Sequence, residues 1–349
     1  MSKHVCLLLF LVVILLASCS SQNTEPPLTF EFPETELPLA EPGPYEFSTL
    51  RGITYIDDDR NGKEVSIDIY YPSKDGEPDL RGAPFPLIMG NFQMLLFADH
   101  LASHGFIVVG LNLPLDASEW DEVIHQPLDF ILILNQLTEN PPDLLAGLID
   151  TDHVGHWGYS GGGRVSITLA GAQLNPDYYF EICENSDITD IDYGADLRWI
   201  CEPYENWDEL IKEADPLLKE TEDGLLQGTT DDRIIATIPM SSGGEWLFGA
   251  TGLASADKAV LLTVGQFEAP RTEETHKIFD ELGTSEKNMI TFVGKTHNMV
   301  FENDAQVKMR HLAIAFFSYY LKGYEEYGYY FSEEFISQVE GLAWGVYEE

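Results

Sequence analysis

Cysteine is scarce in this chain, with four residues among 349: Cys6, Cys19, Cys183 and Cys201. So few exclude a disulfide-dense scaffold, and no histidine spacing around them supports zinc. Basic residues are thin as well, 19 Lys and Arg against 59 Asp and Glu, a formal net charge of −40. A field of that sign repels phosphate backbones, which excludes nucleic acid as a partner, and it leaves no basic patch for docking on anionic lipid. It also disfavours polyanionic substrates. The carboxylates are spread along the chain, as a solubility role requires, and do not gather into an acidic tail. There is no internal repeat of solenoid period, and the longest apolar run, Val5 to Leu16, is too short to span a bilayer comfortably.

That run follows Met1, Ser2 and Lys3 and ends in Leu16, Ala17, Ser18, Cys19, the arrangement of a secretory signal peptide over residues 1–18. The four residues resemble the lipobox of bacterial lipoproteins. The resemblance implies that Cys19 is lipidated, becomes the mature N-terminus and anchors an exported protein facing the periplasm or the cell exterior. Residues 19–44 alternate prolines (Pro26, Pro27, Pro33, Pro38, Pro42, Pro44) with acidic residues, which predicts an extended tether. Residues 45–349 suit one large α/β domain. With Cys6 in the signal and Cys19 modified, an exported chain is left with Cys183 and Cys201, which most simply pair as a disulfide.

Short apolar runs alternate with helical patterns through the domain, the signature of a mostly parallel sheet covered by helices on both faces. Strands are predicted at "RGITYI", "VSIDIYYP", "FPLIMGN", "FIVVGLN", "HVGHWGYS", "RIIATIPMSS", "AVLLTVGQ" and "NMITFVG". Helices are predicted at Leu95–His104, stopped by Gly105, near Pro127–Leu137, around Glu273–Leu282, and in a last amphipathic stretch carrying Leu312, Phe316 and Leu321.

Gly158, Tyr159, Ser160, Gly161 and Gly162 match GxSxG where a strand must turn sharply into a helix. A serine at such an elbow takes strained dihedrals that expose its hydroxyl, and the flanking glycines remove side chains that would collide. The backbone NH of Gly161 then faces the place where an oxyanion would form. A serine hydroxyl needs a base and an orienting carboxylate. Glu268 follows "AVLLTVGQ" and His297 follows "NMITFVG", so both open onto the sheet edge that carries Ser160, where ligands bind in open α/β sheets. Glu245, after "IIATIPMSS", is the rival acid across a longer loop. Among other histidines, His156 lies in the serine's own strand, and His100 and His104 share a helix face without the glutamate of HExxH; they read as core or surface residues. No metal and no cofactor is expected.

These segments, together with "LASHGFIVVGLNLP", "QPLDFILILNQL", "LAGAQL" and "GKTHNMVF", resemble the bacterial dienelactone hydrolase-like proteins akin to platelet-activating-factor acetylhydrolase, and more loosely bacterial cutinases and polyester hydrolases. The similarity covers nearly all of Tyr45–Glu349. It implies an α/β hydrolase fold, a serine carboxylic-ester hydrolase acting through an acyl-enzyme on a small or lipid-like ester, and a triad of Ser160, Glu268 and His297. Related enzymes more often use aspartate, and in the acetylhydrolase branch the acid can follow the preceding strand, which keeps Glu245 open. Where similar proteins carry a His-Gly pair, this chain reads "PLIMGNFQMLLFADHL", so the second oxyanion donor falls to the backbone NH of Phe92 or a neighbour. The acidic, aromatic segment 175–232 occupies the usual place of a cap, or is a simple surface insertion, and an aromatic lid suggests an apolar acyl or alkyl group. A monomer is expected. The alternatives are a binding lipoprotein that keeps the fold without turnover, motivated by the altered oxyanion loop, or a polyester hydrolase.

Overall fold

The computed structural model describes residues 26–112, 121–212, 214, 217–227 and 229–347. The expected signal peptide and the lipidation site at Cys19 lie outside the described residues. In chain order the strands are β1 (Glu46–Asp57), β2 (Lys63–Lys74), β3 (Glu77–Pro78), β4 (Phe85–Gly90), β5 (Ile107–Asn112), β6 (Ile149–Tyr159), β7 (Lys219–Glu220), β8 (Leu226–Gln227), β9 (Ile234–Met240), β10 (Ala259–Gly265), β11 (Lys287–Phe292) and β12 (Leu342–Trp344). The helices are α1 (Ala98–Ser103), α2 (Asp121–Glu139), α3 (Gly161–Leu169), α4 (Pro176–Glu184), α5 (Leu197–Ile200), α6 (Trp207–Lys212), α7 (Glu245–Leu253), α8 (Arg271–Glu281), α9 (Asn303–Lys322) and α10 (Glu333–Ile336).

One sheet runs β1-β2-β5-β4-β6-β9-β10-β11-β12, with β3 beside β2. The six strands from β5 to β11 pair in parallel, while β1, β2 and β12 join antiparallel at the edges. The chain is therefore α/β with a mostly parallel central sheet between helical layers. Alternate residues feed the two layers. Ile88 and Val108 join Leu101, Phe316 and Phe317 of α1 and α9, whereas Leu87, Met89, Ile107 and Val109 join Phe130 and Ile133 of α2 and Leu169 of α3. With both faces covered, β10 is buried at every position, which is why such strands read as continuous apolar runs.

Three expectations need correcting. The single helix at Leu95–His104 is instead a 3-10 turn, Phe92–Leu96, followed by α1, because Phe97 takes a non-helical φ of −121° between them. The helix near Pro127 starts earlier, at Asp121, and carries the proline inside it. The described part of the tether, residues 26–44, is no free linker. Leu39 is fully buried in a 3-10 turn, Pro38–Ala40. Its N–H donates to His311 Nδ1 (3.2 Å), its carbonyl bonds His100 Nε2 (2.9 Å), and the Glu41 carbonyl bonds His104 Nε2 (2.9 Å). Phe30 packs on the His104 ring at 4.8 Å. Apolar residues set between the prolines provide enough contact to dock the arm, and the prolines keep it out of the sheet.

Segment 175–232 folds into α4, α5, α6, the β7–β8 hairpin and short turns. Cys183 and Cys201 are disulfide-bonded with their Cα atoms 5.5 Å apart, which fastens α4 to the end of α5.

Candidate active site

The sheet's strand order reverses between β4 and β6, and the loops leaving these two strands face each other at the carboxyl edge. Ser160 directly follows β6 with φ 55° and ψ −117°, and α3 begins at the next residue. A non-glycine residue in the left-handed region stores strain, and the surroundings enforce it. A Cβ on Gly158 would lie 1.8 Å from the Gly162 carbonyl oxygen, and one on Gly162 would lie 2.0 Å from Asn91 Nδ2. The Ser160 N–H is fixed by the Met240 carbonyl of β9 at 2.9 Å.

His297 opens the 3-10 turn that follows β11, and Glu268 sits in the turn between β10 and α8. Ser160 Oγ is 3.1 Å from His297 Nε2, and His297 Nδ1 is 2.9 Å from Glu268 Oε2. In the tautomer protonated at Nδ1, the imidazole donates to Glu268 and accepts from Ser160. Glu268 is 6 % exposed. Its other oxygen accepts from Ser241 Oγ at 3.0 Å and from the Gly265 N–H. A hydroxyl placed in this way can pass its proton to the ring as it attacks a carbonyl carbon.

The rival Glu245 is fully buried and faces elsewhere. It accepts from Tyr178 Oη (2.7 Å) and Tyr193 Oη (3.0 Å) and pairs with Lys277 Nζ (2.9 Å). Gly243 and Gly244, with φ of 55° and 97°, turn the chain inward at the start of α7 and carry Glu245 away from the edge.

Three participants were missed from sequence. Tyr159 stacks on the His297 ring (5.0 Å, 26°) and donates its hydroxyl to the His297 carbonyl at 2.6 Å; burial pushes its phenol up to about 12. Its place inside the GxSxG motif was the one available signal. Ser241, at φ 48°, supports Glu268, and nothing local marks it. Asn91 donates Nδ2 to the Tyr159 carbonyl at 3.3 Å, tying the end of β4 to the elbow. Phe92 follows it as the first residue of the 3-10 turn. Gly161, first in α3, is one of the residues whose N–H has no acceptor within the helix.

Behind the elbow, burial raises the Glu274 carboxyl to about 7, while it accepts from the Gly244 N–H. A cavity of about 440 Å³ opens over Ser160 and His297. Its wall corrects the expectation of an apolar aromatic lid. Among the described residues, Asp196 and Trp199 line it from the insertion, and Asn91, Gln93, Arg164 and Arg271 stand beside them. The other aromatics pack on one another: Tyr179, Phe180 and Trp207 lie with centroids 5.4–5.7 Å apart, and Tyr204 touches Phe180 at 5.4 Å. Their apolar area is buried in their own cluster and does not face the cavity. A larger cavity of about 680 Å³ lies at the opposite, amino edge of the sheet, beneath the docked arm, and contains none of these groups. Among the described residues no group of three or more His, Cys, Asp or Glu side chains is placed to hold a metal ion. No family model matches the chain, and no curated protein is significantly similar to it.

Proposed function

We propose that the chain is an exported, lipid-anchored serine carboxylic-ester hydrolase with an α/β hydrolase fold, similar to the dienelactone hydrolase-like and acetylhydrolase-like proteins. The observation that carries this reading is the relay from Ser160 Oγ to His297 Nε2 and from His297 Nδ1 to Glu268, at 3.1 and 2.9 Å. The strand order, with Ser160 at its reversal, supports the fold assignment. A binding role alone would leave both the strained serine and the relay without a use.

In the reaction, Ser160 Oγ bonds the ester carbonyl carbon while its proton moves to His297 Nε2, and Glu268 stabilises the imidazolium. The backbone N–H groups of Gly161 and Phe92 hold the oxyanion. The carbon–oxygen bond to the alcohol then breaks, and His297 returns its proton to the departing oxygen. Water, deprotonated by the same ring, releases the acid. Ser160→Ala should reduce hydrolysis of p-nitrophenyl acetate by about six orders of magnitude, with an almost unchanged melting curve. Wild-type turnover in that variant would remove the mechanism.

A further inference from the structure

Resting on the esterase reading, we propose that the alcohol half of the substrate is a polyhydroxylated ring, an O-acylated sugar unit. The cavity beside Ser160 is walled by Asn91, Gln93, Asp196 and Arg271, with the indole of Trp199 among them. Amide, carboxylate and guanidinium groups offer donors and acceptors together, and a hydroxyl both donates and accepts. An alkyl chain would strip water from all of them and return no hydrogen bond. An indole provides the flat apolar surface on which the C–H face of a pyranose packs.

Asn91, 3 % exposed, holds this wall to the elbow through its Nδ2, which donates to the Tyr159 carbonyl. The charge balance argues against an anionic ester. Arg164 is 5 % exposed, bonds the Ser242 carbonyl at 3.4 Å and lies over the Trp199 and Trp246 rings, so its guanidinium is built into the wall. Asp196 shares the wall with Arg271, and the Glu268 carboxylate lies behind His297. A volume of about 440 Å³ lies within the range of small-molecule sites.

The test gives the full chain four substrates: p-nitrophenyl acetate, monoacetylated methyl glucopyranosides, cyclohexyl acetate as a ring of matched size without hydroxyls, and ethyl hydrogen succinate as an anionic ester. The expected result is kcat/KM for the best sugar acetate about thirtyfold or more above that for cyclohexyl acetate, because a site built to hydrogen-bond hydroxyls rejects the analogue lacking them. Asp196→Asn and Asp196→Ala should each shrink that ratio by about tenfold, with melting curves reporting on folding. Turnover of p-nitrophenyl acetate with cyclohexyl acetate or ethyl hydrogen succinate equal or preferred to the sugars overturns the sugar and leaves the esterase standing. No turnover of p-nitrophenyl acetate by the wild type overturns both.

Discussion

Two glutamates separate the requirements of chemistry from those of folding. Glu268 bonds His297, whereas Glu245 bonds two tyrosines and a lysine inside the protein. Glu268→Gln should lower kcat by about three to four orders of magnitude with little change in melting temperature. Glu245→Gln should leave kcat near the wild-type value and cost about 3 kcal/mol of stability, because it breaks a buried pair whose lysine keeps some solvent contact. Steady-state kinetics beside thermal melts on both variants would check this, and the reverse pattern would exchange their roles. From sequence the two acids were hard to separate, since each follows a strand. What separates them is the positive-φ corner at Gly243 and Gly244, a backbone property that adjacent residues only hint at. Ser160, His297 and Glu268 were legible because each follows a strand of recognisable pattern within a few residues. Ser241 and Asn91 were not, because their roles depend on partners 27 and 68 residues away.

Among the elements, the arm was the one that composition misjudged. Its proline and glutamate content argues for a tether, but Leu39 is buried with its backbone held by two imidazoles, His311 and His100, and His104 holds the Glu41 carbonyl beside it. Burial pushes His100 down to about 4 and His104 and His311 down to about 3. With folded values below the ordinary value of about 6.5, the unfolded chain binds more protons in acid. Stability from these groups is thus complete above pH about 6.5 and is lost as pH falls towards 4 and then 3. His100→Gln, which can keep a donor for the Leu39 carbonyl, should flatten the decline in that window by up to about 1.4 kcal/mol per pH unit. Denaturation measured between pH 7 and pH 4 would reveal it, and an unchanged slope would show that the imidazoles do not govern docking. The Cys183–Cys201 link was legible from the cysteine count together with the expectation of export, whereas the inward packing of the insertion's aromatics was not. Their spacing fits a lid and a separate small core equally well, and only the fold decides.

At the scale of the whole molecule, alternating apolar runs revealed the layered α/β architecture because both faces of the sheet are buried. Cavity polarity stayed hidden, since its wall is assembled from loops far apart in the chain. A formal charge of −40 implies strong self-repulsion in the compact state. Raising ionic strength from low to physiological levels should therefore raise the melting temperature, and a fall on adding salt would contradict that view of the surface. The central claim is that Ser160 is an activated nucleophile. Its most direct measurement is intact-mass and peptide analysis after treatment with a fluorophosphonate, a reagent that phosphonylates activated serines. The account expects one adduct per chain, located on Ser160 and lost in Ser160→Ala. An unlabelled wild type, or an adduct on another residue, would contradict it.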